Sequence, residues 1–280
     1  MERYVRLAFV GIIILALTLV LIPVLLAATL LRLPLRRAVP MWWHRVMRRV
    51  LRVKVRVEGE PIQTRPLLLI SNHQNWLDIV VLGSVMPLCF IAKSEVKSWP
   101  GFGWLARLQR TVFVARDRRS ATGAVVGEIA DRMASGDVMV LFAEGTTSDG
   151  NRVLPFRSSL LGAAQQAERA GQMTGQVDNV GVQVVTINYA RIRGGASGRA
   201  GRKALAWYGD LDLLPHMLSV LVTGPIEVDV RFGAARRMQT DTNRKVLSLD
   251  CHNEMQDAFA AMTGQFESTK STELSTTPLT

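Results

Sequence analysis

Residues 7–31 read LAFVGIIILALTLVLIPVLLAATLL, twenty-five consecutive positions without a charge. Such a run has no polar face to turn toward water, so it cannot form a surface helix of a soluble domain. About 20 apolar residues in a helix cross the hydrocarbon core of a bilayer, and this segment meets that length, with a kink expected at Pro23. A cleaved signal peptide is the rival reading. Its apolar core is usually ~7–15 residues long, and Arg32, Arg36 and Arg37 stand where a small-residue cleavage site would be. The segment is therefore expected to remain as a membrane anchor, spanning or re-entrant.

Charge sharpens that expectation. The chain carries 34 Lys+Arg against 23 Asp+Glu, a formal net charge of +11. Residues 1–60 hold eleven Lys/Arg and three Glu, so +8 of the excess flanks the apolar run. Basic residues beside an anchor are drawn to anionic lipid headgroups. Nucleic acid is not expected as a partner, because no zinc-finger spacing and no RNP-type aromatic motif occurs. Nine Lys/Arg fall between residues 32 and 56, against two before the run. That asymmetry predicts an inner-membrane protein with the following domain on the cytoplasmic face. Residues 40–51, PMWWHRVMRRVL, alternate Trp and apolar positions with Arg45, Arg48 and Arg49. They suit an interfacial amphipathic helix or a basic helix packed on the domain. Cys89 and Cys251 are too few for a disulfide framework, which points to a reduced compartment.

Beyond residue 52 the chain alternates β-rich runs with helical patterns. Strands are expected at 53–57, 67–70, 88–92, 112–115, 138–142, 182–187, 204–208 and 226–232. Helices are expected at 76–86, 121–135, 156–170 and 243–262. Wholly apolar strands such as VMVLF (138–142) suit a sheet covered on both faces. The predicted fold is an α/β domain with a largely parallel sheet covered by helices. The division expected is an anchor over 1–35, a domain over 36–263 and a disordered polar tail over 264–280. The Gly/Arg-rich stretch 194–202 reads as a loop.

One constellation carries chemistry. Asn72-His73-x-x-x-x-Asp78 follows the strand at 67–70 and opens a helical pattern. A carboxylate five residues after a histidine can hold one ring nitrogen and raise the basicity of the other. On its own the pair also suits a structural hydrogen bond. Further blocks follow in order: Lys93-Ser94-Glu95, Pro100-x-x-Gly103, the run from Val112 to Arg116, Phe142-Ala143-Glu144-Gly145-Thr146 and Val184-Val185-Thr186.

Over roughly residues 40–235 this order resembles the 1-acylglycerol-3-phosphate acyltransferase family of glycerolipid acyltransferases. The resemblance implies that His73 is the general base and Asp78 its orienting partner. It also implies that Arg116, Glu144, Gly145 and Thr146 bind the acceptor's polar head. The donor implied is a fatty acyl thioester of acyl carrier protein or coenzyme A, and the acceptor a lysolipid in the membrane. A thioester is already activated, so no metal, cofactor or covalent nucleophile is needed. A base, a positioned hydroxyl and oxyanion stabilisation suffice.

The sequence departs from the family pattern at Ala143, where proline is usual, at Thr147, where arginine is usual, and at Thr186, a common proline position. The longer run EGTTSDGNRVLPFRSSLLGAA looks like the bacterial branch that acylates lyso-ornithine lipid, whose amino-acid head carries no phosphate. Arg152 and Arg157 are cations that stand near the altered block. Other readings are a metal-dependent phosphohydrolase with His73, Asp78 and Glu144 as ligands, and a non-catalytic lipid-binding module. The first would need more convergent His and Asp. The second leaves the motif order unexplained. A serine hydrolase is disfavoured by the absence of G-x-S-x-G.

Overall fold

A computed structural model describes residues 2–114, 123–173, 180–238 and 241–264. The polar tail beyond Gly264 lies outside these residues. The helices are α1 (Glu2–Leu30), α2 (Leu35–Val50), α3 (Leu77–Val85), α4 (Phe102–Leu108), α5 (Gly123–Ala134), α6 (Ser158–Met173), α7 (Gly198–Leu205), α8 (Leu213–Thr223) and α9 (Arg244–Met262). The strands are β1 (Val53–Glu58), β2 (Leu67–Ser71), β3 (Cys89–Lys93), β4 (Val112–Val114), β5 (Val138–Phe142), β6 (Val180–Ile192), β7 (Gly195–Ala196) and β8 (Ile226–Met238).

The strands form one sheet in the order β1-β8-β6-β2-β5-β3-β4, with β7 paired to β6. The run β6-β2-β5-β3-β4 is parallel, and β8 is antiparallel to β6. All five residues of β2 and of β5 are buried. This is what continuous apolar strands require, since alternate side chains enter opposite faces and both faces must be dry. Leu68, Ile70, Met139 and Leu141 enter one core, which Ile129, Met133, Leu161, Met255 and Phe259 complete from α5, α6 and α9. Leu67, Leu69, Val138, Val140 and Phe142 enter the other with Met47, Leu77 and Val81 of α2 and α3.

On that second side α2 packs against α3, burying Val39, His44 and Met47, so the basic helix does sit on the domain. Helix α3 admits it closely at Gly83, where a Cβ would lie 2.4 Å from the His44 ring. Burial lowers the His44 pKa to about 4. His44 is a packing residue. Helix α1 lies along α2 in turn. Val10 is buried beside Met47 and Leu51, and Trp43 Nε1 donates to Thr18 Oγ1 at 3.0 Å. The other side of α1 is open, with Phe9, Ile12, Leu15, Leu19 and Leu30 each 60% or more exposed.

Two expectations are corrected. Residues 204–208 are not a strand, and the stretch 194–202 is not all loop: it holds β7 and most of α7. The reason is tertiary. Leu205 C=O accepts from the Asn75 side chain, and Trp207 N–H donates to Gln74 C=O at 2.8 Å, so this backbone is taken by the turn after β2. Helices α4 and α8 were not expected. The α8 segment LLPHMLSVLVT is apolar all round and has no helical polar face to read.

Candidate active site

The site stands at the C-terminal ends of β2 and β5. Strand β2 ends at Ser71, and residues 72–76 turn into α3, whose second residue is Asp78. Asp78 is fully buried. Its Oδ2 accepts from Gln74 N–H at 2.7 Å and Asn75 N–H at 2.9 Å, and lies 2.8 Å from His73 Nδ1. Its Oδ1 accepts from the Tyr189 hydroxyl at 2.6 Å. Four donors thus surround a carboxylate that has no Lys or Arg beside it among the described residues. Neutral donors and the first turn of α3 stabilise the charge in place of a cation.

This arrangement puts the His73 proton on Nδ1, because a carboxylate only accepts, and leaves Nε2 with a free lone pair. The ring stacks on Phe142 with centroids 3.9 Å apart and planes at 16°. It keeps 17% of its side-chain surface exposed. Held by Asp78 at Nδ1 and on its face by Phe142, the imidazole is fixed in place yet still partly exposed.

A second loop is fastened to the first. Glu144 Oε1 accepts from His73 N–H at 3.0 Å, and Oε2 accepts from Leu154 N–H at 3.1 Å. Ser148 N–H donates to His73 C=O at 2.8 Å. Burial pushes the Glu144 carboxyl up to about 8; the backbone donors of His73 and Leu154 pull it down, and burial wins. The resemblance puts Glu144 at the acceptor's head group. Here the residue is 2% exposed with both carboxyl oxygens engaged, so what it braces directly is the backbone of the histidine turn. Gly145 has φ +73°, a conformation in which a side chain is strained. Thr146 is exposed and Thr147 half-buried on the outer side of the loop. Arg116 lies outside the described residues.

Asn72, named in the histidine block without a role, and Gln74 and Tyr189, which no motif singled out, complete the frame. Asn72 exchanges hydrogen bonds with Ile187, Nδ2 to C=O at 2.9 Å and N–H to Oδ1 at 2.8 Å. Gln74 Nε2 donates to the same carbonyl at 2.7 Å. These tie the turn to β6, which carries Tyr189. Asn72 and Gln74 stand inside the histidine block, whereas Tyr189 is 111 positions from Asp78 with no local signal. Beside the turn, Trp207 and Trp99 meet edge to face at 5.9 Å. Among the described residues no three His, Cys, Asp or Glu side chains converge as metal ligands.

Residues 54–190 match the family model described as Acyltransferase. The chain is 48% identical to a lyso-ornithine lipid O-acyltransferase of Rhizobium meliloti over 248 residues, covering 89% of this chain and 84% of that one. It is also 48% identical to a protein of the same description from Brucella abortus, over 79% of this chain and 81% of that one. The crystal structure of the 1-acyl-sn-glycerophosphate acyltransferase PlsC from Thermotoga maritima shares the fold, with a TM-score of 0.61 and 20% identity. That likeness spans 93% of this chain and 97% of that one.

Proposed function

The chain belongs to the acyltransferase family, and from that membership we propose that it acylates lyso-ornithine lipid through a His73–Asp78 base. It is an enzyme of membrane lipid synthesis that moves an acyl group to a lysolipid. What supports His73 as the base is one feature above others: a buried carboxylate whose four donors include the ring and no cation. Such a carboxylate stabilises the imidazolium that forms when Nε2 takes a proton. The acceptor hydroxyl loses that proton as its oxygen bonds to the thioester carbonyl carbon. The tetrahedral intermediate then expels the thiolate, which recovers the proton from His73. An ester and a free thiol result.

The donor is an acyl thioester of acyl carrier protein or coenzyme A. On our reading Gly145 and Thr146 meet the acceptor's head, with Arg116 as a further contact, while Glu144 braces the turn. Arg157 backbone N–H donates to Ala143 C=O at 2.8 Å, which fastens an exposed arginine to the root of the loop and makes it a candidate cation for a carboxylate head.

The apolar α1 associates the enzyme with a membrane. We place it on the inner membrane, facing the cytoplasm, where thioesters are made, with residues 1–35 as anchor and 36–263 as the acyltransferase domain. Helix α1 packs along α2 and touches α8, with Val10 buried in the domain core near its N-terminal end and Thr18 bonded to Trp43 midway. Its N-terminal half therefore stays beside the domain. This favours an anchor embedded along its open side over one that leaves the domain to cross the bilayer.

An acceptor panel of lyso-ornithine lipid, lysophosphatidate and lysophosphatidylglycerol tests the reading. Lyso-ornithine lipid is expected to give the highest kcat/KM. Thr147→Arg is expected to shift the ratio toward lysophosphatidate, since a hydrogen bond to a charged group is worth roughly 1.5–3 kcal/mol. A strong wild-type preference for lysophosphatidate, unchanged by Thr147→Arg, would reject the lyso-ornithine assignment.

A further inference from the structure

At the other end of the same strands lies a cavity of about 330 Å³. Cys89 and Val138, the first residues of β3 and β5, form its floor, so the length of the sheet separates it from His73. Strands of five residues rise about 3.3 Å per residue, which puts the two sites about 15 Å or more apart.

Among the described residues, four arginines, Arg36, Arg37, Arg65 and Arg110, line it with a single acidic residue, Asp137. Asp137 is 5% exposed and lies 2.8 Å from both Arg37 Nε and Arg110 Nη2. Arg65 Nη1 donates to the carbonyls of Ile62 and Thr64, which spread no negative charge onto it. Arg36 makes no ion pair among the described residues, and its charge bears on Arg110. One carboxylate cannot balance four cations held around one space. An anion entering the cavity relieves the repulsion and gains charge-assisted hydrogen bonds from planar donor forks.

The position of the opening says what kind of anion. Leu30, Leu31 and Leu33, at the turn between α1 and α2, are 84%, 65% and 42% exposed. Pro34 and Arg36 follow them directly and form the cavity wall. A chain that leaves hydrocarbon at Leu33 enters the layer of lipid phosphates within a residue or two. Met86, Pro87 and Leu88 supply an apolar side to the same cavity, suited to glycerol carbons.

We propose that this cavity is a second lipid site, separate from the catalytic one, that holds the phosphodiester headgroup of an anionic bilayer phospholipid. It fixes the domain on the membrane and does not take part in acyl transfer. The inference rests on membrane attachment through α1 and is independent of which lysolipid is the acceptor.

The test is thermal unfolding of the full chain in a nonionic detergent with added short-chain phosphatidylglycerol, short-chain phosphatidylcholine or inorganic phosphate. Saturating phosphatidylglycerol is expected to raise the midpoint by about 5 °C, and the other two to raise it far less. The double variant Arg36→Gln/Arg65→Gln is expected to lose the shift and keep its turnover of micellar acceptor. If the double variant does not fold, Arg36→Gln alone is expected to reduce the shift. An absent wild-type shift, an equal shift with phosphatidylcholine, or a full shift in the variants overturns the proposal. An equal shift with inorganic phosphate overturns the lipid and leaves a soluble anion.

Discussion

Two aspartates close opposite ends of the same parallel strands, and they are compensated in opposite ways. Asp137 precedes β5 and takes two guanidinium groups. Asp78 follows β2, is as deeply buried, and takes a hydroxyl, two backbone N–H groups and an imidazole. Permanent cations settle the charge of Asp137, so it has nothing left to offer a proton transfer. The field of Asp78 is met by dipoles alone and remains to stabilise a cation when one appears on His73. A buried carboxylate beside arginine is structural, and one beside neutral donors and a histidine is poised for chemistry.

The largest effect should come from breaking the end that holds the proposed base. His73→Ala is expected to lower kcat/KM about 10²–10⁴-fold, the range for loss of a general base, with membrane association intact in a flotation assay. Asp78→Asn should cost much of that, because the ring stays but its tautomer and orientation are no longer held. Near-normal turnover in either variant would mean that the two aspartates do not differ as described.

The opposite end should respond in stability rather than rate. Asp137→Asn leaves Arg37 and Arg110 facing each other without a counter-charge. Arg37 is 38% exposed, so water offsets part of the cost. A loss of about 1–3 kcal/mol is expected by denaturant unfolding, with kcat/KM per folded molecule unchanged. A rate defect of the Asp78 size would break the comparison.

The smallest effect sharpens it. Tyr189→Phe removes one of the four donors to Asp78 and leaves the His73 contact in place. The carboxylate then holds more negative charge and binds an imidazolium more tightly. The acidic limb of the kcat/KM profile should therefore move to higher pH, by less than about one unit, with a rate loss of about tenfold or less. A uniform drop in rate with an unmoved profile would mark Tyr189 as a packing residue only.

Much of the molecule was legible in the sequence. The strands at β2, β3 and β5 follow from short apolar β-rich runs, and α3, α6 and α9 from helical patterns within a few residues of their bounds. The His73–Asp78 pair was legible because its two members are local. Five residues span the turn from a strand into the first turn of a helix. The true partners of Glu144 were not legible, since one is a backbone group 71 positions away. Tyr189 gave no signal for the same reason. The run at 204–208 has strand composition, but its backbone is claimed by the turn at 72–76, so tertiary contacts overrode propensity.

The apolar α1, the strand runs and the order of the histidine and glutamate blocks could be read from the chain alone. Each is written in neighbouring residues, through charge-free length, apolar runs and loop chemistry. Only the tertiary structure decided which charge met which partner. Strand crossovers brought Tyr189 to Asp78 across 111 residues and carried Arg37 and Arg110 to Asp137. No local propensity encodes those meetings. A carboxylate's role follows from what surrounds it in space, and in this chain that is set by the order of strands in the sheet.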